Sequence, residues 1–379
     1  MTSSHTGKPM DILRLSHTLT WFGLCFAFFA NTSAQARTKK VDIHVYPGYC
    51  AGTRCVIKGR IVRKSRFIKG TAKQGRLGSM MAMIRRFTRK YIPYASVRVS
   101  FQNKQKVVLA DKKGYFYATF VQPTQLPPSS RPATRTSQPT TPSKHTLGYR
   151  TYQMMPDKAL KKWGVLPVVA ELAWPKKQKL QGTPTHAFML QGSDLPGISI
   201  ISDIDDTLIE TFVYKKSKML RKLLLSNPSQ VRIFPHALDA LRQLHKGPTT
   251  LHYLSGSPVQ LLDRMLAIFQ HHNFPVGSLN MKRLSGQEKY SLLHQTKYKA
   301  DAIREIFKAY PKHRFVLVGD SGEKDPEIYA AIRRLYPKQV LAIYIHNVTK
   351  ANATQKRFRG IRLFTHYKEL LSPSSKPSQ

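Results

Sequence analysis

Between Ile200 and Thr211 the chain reads IISDIDDTLIET, which sets Asp203, Asp205 and Asp206 within four positions at the end of an apolar run, with Thr207 beside them. Carboxylates this close repel one another and need a shared proton or a cation to coexist. A hard divalent ion with oxygen ligands, Mg²⁺ above all, meets that need. A carboxylate beside such an ion can attack phosphorus. The metal neutralises charge that develops on the phosphoryl oxygens, while a second carboxylate can protonate the leaving oxygen and later activate water. Alone, D-x-D-x-T reads equally well as an acidic strand-to-helix turn with capping residues.

Three further stretches tip the balance. YLSGSP ends a second apolar run with Ser255, whose hydroxyl can donate to a phosphate oxygen. VLVGDSGEKD ends a third with Asp320, and Asp325 follows five residues later. YKADAI places Lys299 at the start of the helix before that run, where a cation can balance phosphate and nucleophile.

The elements that must position these groups alternate. From residue 190 onward ISIIS, TTLHYLS, RFVLVGD and VLAIYIHN read as strands, and HALDALRQLHK, PVQLLDRMLAIFQHH, KADAIREIFKAY and DPEIYAAIRRLY as helices. That order predicts an α/β unit, a parallel sheet with helices on both faces. In such sheets ligands gather beyond the carboxyl ends of the strands, where every group named above falls.

DIDDT, YLSGS, a helical lysine and GDSGEKD, in that order, resemble the four motifs of the haloacid-dehalogenase-like (HAD) phosphotransferases. SDIDDT, YLSGSP, KADAI and GDSGEKDPEIY more narrowly resemble the catalytic domain of phosphatidate phosphatases of the actin-patch-associated type and their bacterial relatives, and YPGYC…VIKGRIV resembles the β-domain that precedes it in bacterial members. The resemblance covers most of residues 40 to 370. It implies a HAD-like Rossmannoid fold in which Asp203 is the nucleophile and Asp205 the general acid and base. It further implies Mg²⁺ held by Asp203, the main-chain carbonyl of Asp205, and Asp320, with Asp325 in support, and Ser255 and Lys299 on the phosphoryl group. Lys297 is a rival to Lys299, but the spacing to Ile303 favours Lys299. Asp206 belongs to the motif without direct chemistry and caps the following turn. The chain departs from the family at Val259, where an aromatic is usual, and at His346 and Asn347, where an Arg-Asp pair is usual. His346 reads as structural.

The segment 211–234, between the first motif and the first helix, is where HAD enzymes insert caps. It mixes Phe212, Met219, Leu223 and Leu224 with Lys215, Lys216, Lys218, Arg221 and Lys222, which suits either a lid over a phosphorylated headgroup at a membrane or a helix packed on the core.

The rest of the chain is basic and β-rich. Over 379 residues, 62 Lys and Arg face 20 Asp and Glu, a net charge of +42. Such an excess points to an anionic partner or surface: phospholipid, lipopolysaccharide, nucleic acid or another polyanion. Residues 37–121 and 146–189 read as a small basic β-sandwich-like domain, built on VDIHVYP, TRCVIKGRIV, ASVRVSF, KVVLA, YFYATFV and LPVVAELAW. Two inserts interrupt it. Residues 122–145 are Pro, Ser and Thr with few apolar groups and predict disorder, as does the tail 371–379. GSMMAMIRRFTRKYIP repeats Met80, Ile84, Phe87 and Tyr91 with arginines between, which predicts a basic amphipathic helix that either packs on the sandwich or meets a membrane surface.

Residues 1–36 read as a signal peptide. Lys8 and Arg14 precede the apolar LTWFGLCFAFFA, and Ala34-Gln35-Ala36 offers a cleavage site after Ala36. The expected product is exported, periplasmic or membrane-peripheral, with Cys50 and Cys55 closing a small disulfide loop or standing as two free thiols.

These observations favour a Mg²⁺-dependent phosphomonoesterase acting on a phosphorylated lipid, phosphatidate first, at an anionic membrane surface. Two readings compete: the same site on a nucleotide, nucleic-acid end or phosphorylated saccharide lipid, or a basic envelope-binding protein without activity. Export disfavours nucleic acid, and no obligate protein partner is expected.

Overall fold

In the computed structural model, which describes residues 38–64, 75–122, 149, 160, 164–173, 180–211, 227–245, 249–283 and 295–371, the runs of β-branched and aromatic residues at the N-terminal side form nine strands. They are β1 (Lys39–Val45), β2 (Gly48–Ala51), β3 (Arg54–Arg63), β4 (Ser96–Phe101), β5 (Lys104–Leu109), β6 (Tyr115–Val121), β7 (Val165–Leu172), β8 (Leu180–Gln181) and β9 (Thr185–Leu190). The sheet runs β5-β4-β7-β9-β2-β3-β1-β8, with β6 along the other edge of β3. Most pairs are antiparallel, but β2 with β9 and β1 with β8 are parallel. Alternation does the sorting. Val41, Ile43 and Val45 of β1 and Val97, Val99 and Phe101 of β4 point inward and meet Ile57, Phe116, Phe120 and Val168 in one buried cluster. The expected turn at ADKKGYF is present: Asp111 Oδ1 accepts from the amides of Lys113 (2.7 Å) and Tyr115 (2.9 Å), and Gly114 takes φ 74°.

Cys50 and Cys55 sit opposite each other in the β2–β3 pair, are fully buried and are disulfide-bonded. Next to Cys50, the Tyr49 ring packs edge-on against His252 and tilts against Tyr310.

The second unit is a sheet of six parallel strands with the helices the alternation called for. Its strands are β10 (Gly197–Asp203), β11 (Thr249–Pro258), β12 (Ser278–Lys282), β13 (His313–Asp320), β14 (Val340–His346) and β15 (Arg362–Phe364), in the order β12-β11-β10-β13-β14-β15. Among the described residues the α-helices are α1 (Arg76–Thr88), α2 (Ala237–Leu244), α3 (Leu262–His271), α4 (Gln295–Ala309) and α5 (Asp325–Leu335). Successive strand residues go to opposite faces. Ile200, Leu251, Tyr253 and Val318 pack with Ala237, Leu241, Met265 and Phe269 of α2 and α3. Ile201, Leu254, Leu317 and Ile345 pack with Ile303, Ile306, Ile328 and Ile332 of α4 and α5. Burial on both faces is why these strands read as continuous apolar runs. The edge strand β12 does not stand open, because its Leu279 amide donates to the Pro47 carbonyl at 2.9 Å.

The basic amphipathic helix forms as α1, and of the two placements open to its apolar stripe, on the sandwich or at a membrane surface, Ile84 and Phe87 do not take the first. Ile84, Phe87 and Tyr91 are exposed, and Leu77, at 74% exposure, joins them on that side, while Ser79, Ala82, Met83 and Arg86 are buried. The buried ion pair between Arg86 Nε and Asp263 Oδ1 of α3, at 3.1 Å, holds the helix with this face down. The expected signal peptide 1–36, nearly all of the expected insert 122–145, most of the expected cap segment 211–234 and all but Leu371 of the expected tail lie outside the described residues.

Replacing both Cys50 and Cys55 by alanine should lower the unfolding free energy of the oxidised chain by about 2 kcal/mol, the loop-closure effect for so short a ring. Urea unfolding followed by circular dichroism reads this. A midpoint matching the unsubstituted protein would show that β2–β3 pairing alone holds the turn.

Candidate active site

Three neighbouring strands, β11, β10 and β13, deliver the candidate residues to one end of the parallel sheet. Asp203 closes β10 opposite Leu254 of β11, and Asp320 closes β13 opposite His346 of β14. Asp203, Asp320 and Asp325 are all fully buried, and each offers a carboxylate oxygen within 4.8 Å of the others. Asp205, predicted beside them, turns elsewhere: its Oδ2 accepts from Ser255 Oγ and Ser257 Oγ, each at 2.9 Å.

Lys299 reaches into the acids from α4. Its Nζ lies 2.6 Å from Asp325 Oδ1, 2.9 Å from Glu323 Oε2 and 3.1 Å from Asp203 Oδ1, and none of the lysine is exposed. Lys297, the rival, is on the surface with its side chain 63% exposed, paired to Asp301 one helical turn on. Burial alone would lower the Lys299 pKa, but Asp203, Asp325 and Glu323 together hold it well above the usual lysine range. Burial pushes Asp203 and Asp320 well up from the ordinary carboxylate range. Lys299 opposes that rise at Asp203, and the neighbouring acids Asp325 and Glu323 add to it at both. Asp205 is raised by burial and by Glu323, against the hydroxyls of Ser255 and Ser257.

The turn after β10 shows why three aspartates stand in four positions. Asp206 takes φ 54°, a left-handed conformation that Asp tolerates better than most residues. Its Oδ1 accepts from the Thr211 amide (2.8 Å) and hydroxyl (3.1 Å), the capping role expected of it. The turn also swings Thr207 back so that its hydroxyl donates to Asp203 Oδ2 at 3.2 Å. Asp320 is aimed by its own loop, its Oδ1 accepting from the amides of Gly322 (2.6 Å) and Glu323 (3.0 Å). His346 packs among Phe234, Phe364 and Tyr367, with its ring nitrogens 3.3 and 3.2 Å from the carbonyls of Asp206 and Thr365, a structural placement. Asn347 closes its own loop onto Ala351, and Val259 is buried.

Several participants carried no distinct signal. Ser257 lies two residues past Ser255, on the same strand face, and shares its carboxylate. Glu323 was visible only as a letter of the last motif. Arg264 of α3 is buried within the electrostatic reach of Asp205, its pKa brought down to about 10 by burial and then by Arg86. Arg357 braces the β13–α5 loop by donating to the carbonyls of Ser321 (3.2 Å) and Glu323 (2.7 Å).

The donor set fits a hard divalent cation. All of it is carboxylate oxygen. Two buried atoms, Asp203 Oδ1 and Asp320 Oδ2, have no hydrogen-bond partner, and Lys299 is the one ion-pair partner recorded for any of the three aspartates among the described residues.

Residues 198–347 match the family model described as the catalytic domain of phosphatidate phosphatase APP1. Phosphatidate phosphatase APP1 of Saccharomyces cerevisiae is 34% identical over 151 residues, 39% of this chain and 26% of that protein. An uncharacterized protein of Schizosaccharomyces pombe is 30% identical over 156 residues, 41% of this chain and 26% of the other. The chain thus spans about a quarter of the length of these curated relatives. A carbohydrate acetylesterase from Xanthomonas citri aligns over 79% of this chain and 68% of its own at 9% identity and a TM-score of 0.23, too low to carry an argument.

Two predictions follow from the crowding of acids. In metal-free buffer the raised carboxylates bind protons more tightly folded than unfolded, so stability should fall as pH rises out of the usual carboxylate range. Asp320→Asn should therefore raise the melting temperature in EDTA above pH 6 or so and shrink the further rise that Mg²⁺ gives. An unchanged EDTA melting point with a full Mg²⁺ response would remove Asp320 from the ligand set. Gly319→Ala tests the spacing: a Cβ there would stand 2.5 Å from Asp325 Oδ2 and 2.8 Å from Tyr329. The substitution should cost about 1–3 kcal/mol and weaken Mg²⁺-linked stabilisation in the same thermal scans, whereas a neutral result would show that Asp325 has room to shift.

Proposed function

We propose that the chain is a Mg²⁺-dependent phosphomonoesterase of the HAD-like type, acting through an aspartyl phosphate on a phospholipid such as phosphatidate. The observation that carries this reading is the buried cluster of Asp203, Asp320 and Asp325, only partly balanced by Lys299, at the strand ends of a segment that matches the APP1 catalytic-domain model. The fold reading that goes with it is a HAD-like sheet preceded by a sandwich-like β-domain.

In this mechanism Asp203, Asp320, Asp325 and the Asp205 carbonyl would hold the ion, which supplies positive charge against the phosphoryl oxygens. Asp203 attacks phosphorus through the carboxylate that Thr207 and Lys299 orient, forming an aspartyl phosphate as the bond to the leaving alcohol breaks. Asp205, whose raised pKa favours its protonated form, gives its proton to the leaving oxygen. Now a carboxylate, it takes a proton from water, whose oxygen attacks phosphorus, releases inorganic phosphate and restores Asp203. Ser255 and Ser257 fix the Asp205 carboxylate, and Ser255 is placed to pass its hydroxyl to a phosphoryl oxygen when substrate arrives.

The disulfide fits an oxidising compartment, consistent with export to a periplasmic or membrane-peripheral location, and the net charge of +42 suits an anionic lipid surface as partner.

The test is phosphate release from phosphatidate in mixed micelles with Mg²⁺. Asp203→Asn and Asp205→Asn should each reduce turnover by at least about a thousandfold, in line with loss of a nucleophile or of acid–base catalysis. EDTA should abolish it reversibly. Faster turnover of a nucleotide or a phosphorylated saccharide lipid would keep the site and move the substrate class. No release from any of them above the Asp203→Asn background would overturn the enzymatic reading in favour of an inactive binding protein.

A further inference from the structure

A cavity of about 130 Å³ lies where the N-terminal sheet, α1 and the turn after β11 meet, and none of the acids of the candidate active site lines it. Its wall carries Arg60, Arg86, Arg89 and Lys113, with no carboxylate among them. The two nearby acids stand behind it, holding two of the arginines: Asp42 pairs with Arg89 Nη2 at 2.8 Å and Asp263 with Arg86. Arg60, only 9% exposed, has no carboxylate partner among the described residues. Its guanidinium instead lies 4.6 Å from the Tyr115 ring centre and 5.0 Å from that of Tyr91, and its Nε donates to the Lys113 carbonyl at 3.2 Å.

The polar groups of this wall are incomplete. Arg89 Nε and the Tyr115 hydroxyl are buried donors with no hydrogen-bond partner, and both side chains are more than nine-tenths buried. A buried donor left without an acceptor costs about 1–3 kcal/mol, and uncompensated buried charge costs more. Gln260 Oε1, an acceptor, is likewise unpartnered on the same wall and suits a ligand hydroxyl. A compact oxyanion bearing a hydroxyl-rich substituent would satisfy all three.

The rim of the cavity is apolar and open. Phe87 and Tyr91 line the cavity and are also exposed, and they continue into Leu77, Met81 and Ile84 on the outward face of α1, at helical spacing. Arginine with an aromatic cage for the headgroup, next to an exposed apolar helix face, is the chemistry of a lipid–water boundary. We propose that this cavity seats the phosphate of an anionic phospholipid whose chains lie against the exposed face of α1. The site is separate from the acid centre, and the inference holds whether or not that centre hydrolyses phosphate.

The test uses the full chain in EDTA with phosphatidylcholine vesicles, with and without phosphatidylglycerol, read by co-sedimentation. Phosphatidylglycerol is a phosphodiester and no substrate for a monoesterase, so hydrolysis does not enter. The protein should bind the anionic vesicles, and Arg60→Gln should weaken that binding about tenfold, the loss of one charge-assisted contact. Tyr115→Phe removes only a hydroxyl that has no partner, so it should weaken vesicle binding while the free protein melts at or above the unsubstituted temperature. That pairing separates the proposal from misfolding. Ile84→Gln, on the outward face, should weaken binding without lowering the melting point.

Anionic-vesicle binding that all three variants retain would overturn the proposal and leave only diffuse surface charge. Inorganic phosphate that raises the melting temperature through Arg60, with no vesicle binding, would overturn the lipid assignment and mark a free-phosphate site.

Discussion

Lys299 is the interaction on which the rest of the site depends. Three carboxylates converge on one fully buried ammonium, and the acids around it outnumber that cation. In a low-dielectric interior such a cluster stands only if each charge has an opposite neighbour, and removing one partner commonly costs about 3–5 kcal/mol. The fold is arranged to bring that ammonium in. It comes from α4, the helix that leads into β13, whose far end supplies Asp320. The side chain reaches Asp325 at the start of α5 and Asp203 at the end of the adjacent strand. Two helices and two strands are thereby tied at one point.

The tie leaves the centre short of positive charge by design. Lys299 covers one side of Asp203 and Asp325, while Asp320 Oδ2 has no donor among the described residues. A protein selected for stability alone would not keep an unsatisfied buried carboxylate oxygen. Sites that bind ions or charged transition states commonly do, because the missing charge is what the ligand brings. Around these local acids the chain as a whole carries a net charge of +42, a field that would favour the approach of anions over a longer range.

Much of this was legible in the residues because parallel sheets make function local to strand ends. Each motif ended an apolar run, so the sheet order alone was enough to bring Asp203, Ser255 and Asp320 together. Lys299 could be told from Lys297 by its helical phase with Ile303, and the structure puts one inside and the other in water. What could not be read was anything set by contacts across the two units. Ile84, Phe87 and Tyr91 look like a packing stripe, and only the Arg86–Asp263 pair, residues far apart in the chain, reveals that the helix lies with the opposite face down. The parallel pairing of β2 with β9 is similarly silent, since a four-residue strand has too few positions to show a period. The hydrogen bond from Ser255 to Asp205 was equally silent, since it joins two strand ends fifty residues apart.

The bond from Leu279 to Pro47 has a bearing on how the parallel-sheet unit behaves as a material. β12 is the outer strand of a flat run of parallel strands, and an uncovered edge of that kind recruits strands from other molecules. Here the β1–β2 segment supplies one main-chain bond along it, from Leu279 to Pro47, while its Tyr49 ring packs on His252 of the neighbouring β11. The N-terminal sheet is therefore also a guard on the sheet edge. A fragment cut away from it at residue 190 would keep its carboxylates and expose that edge, which favours edge-to-edge aggregation.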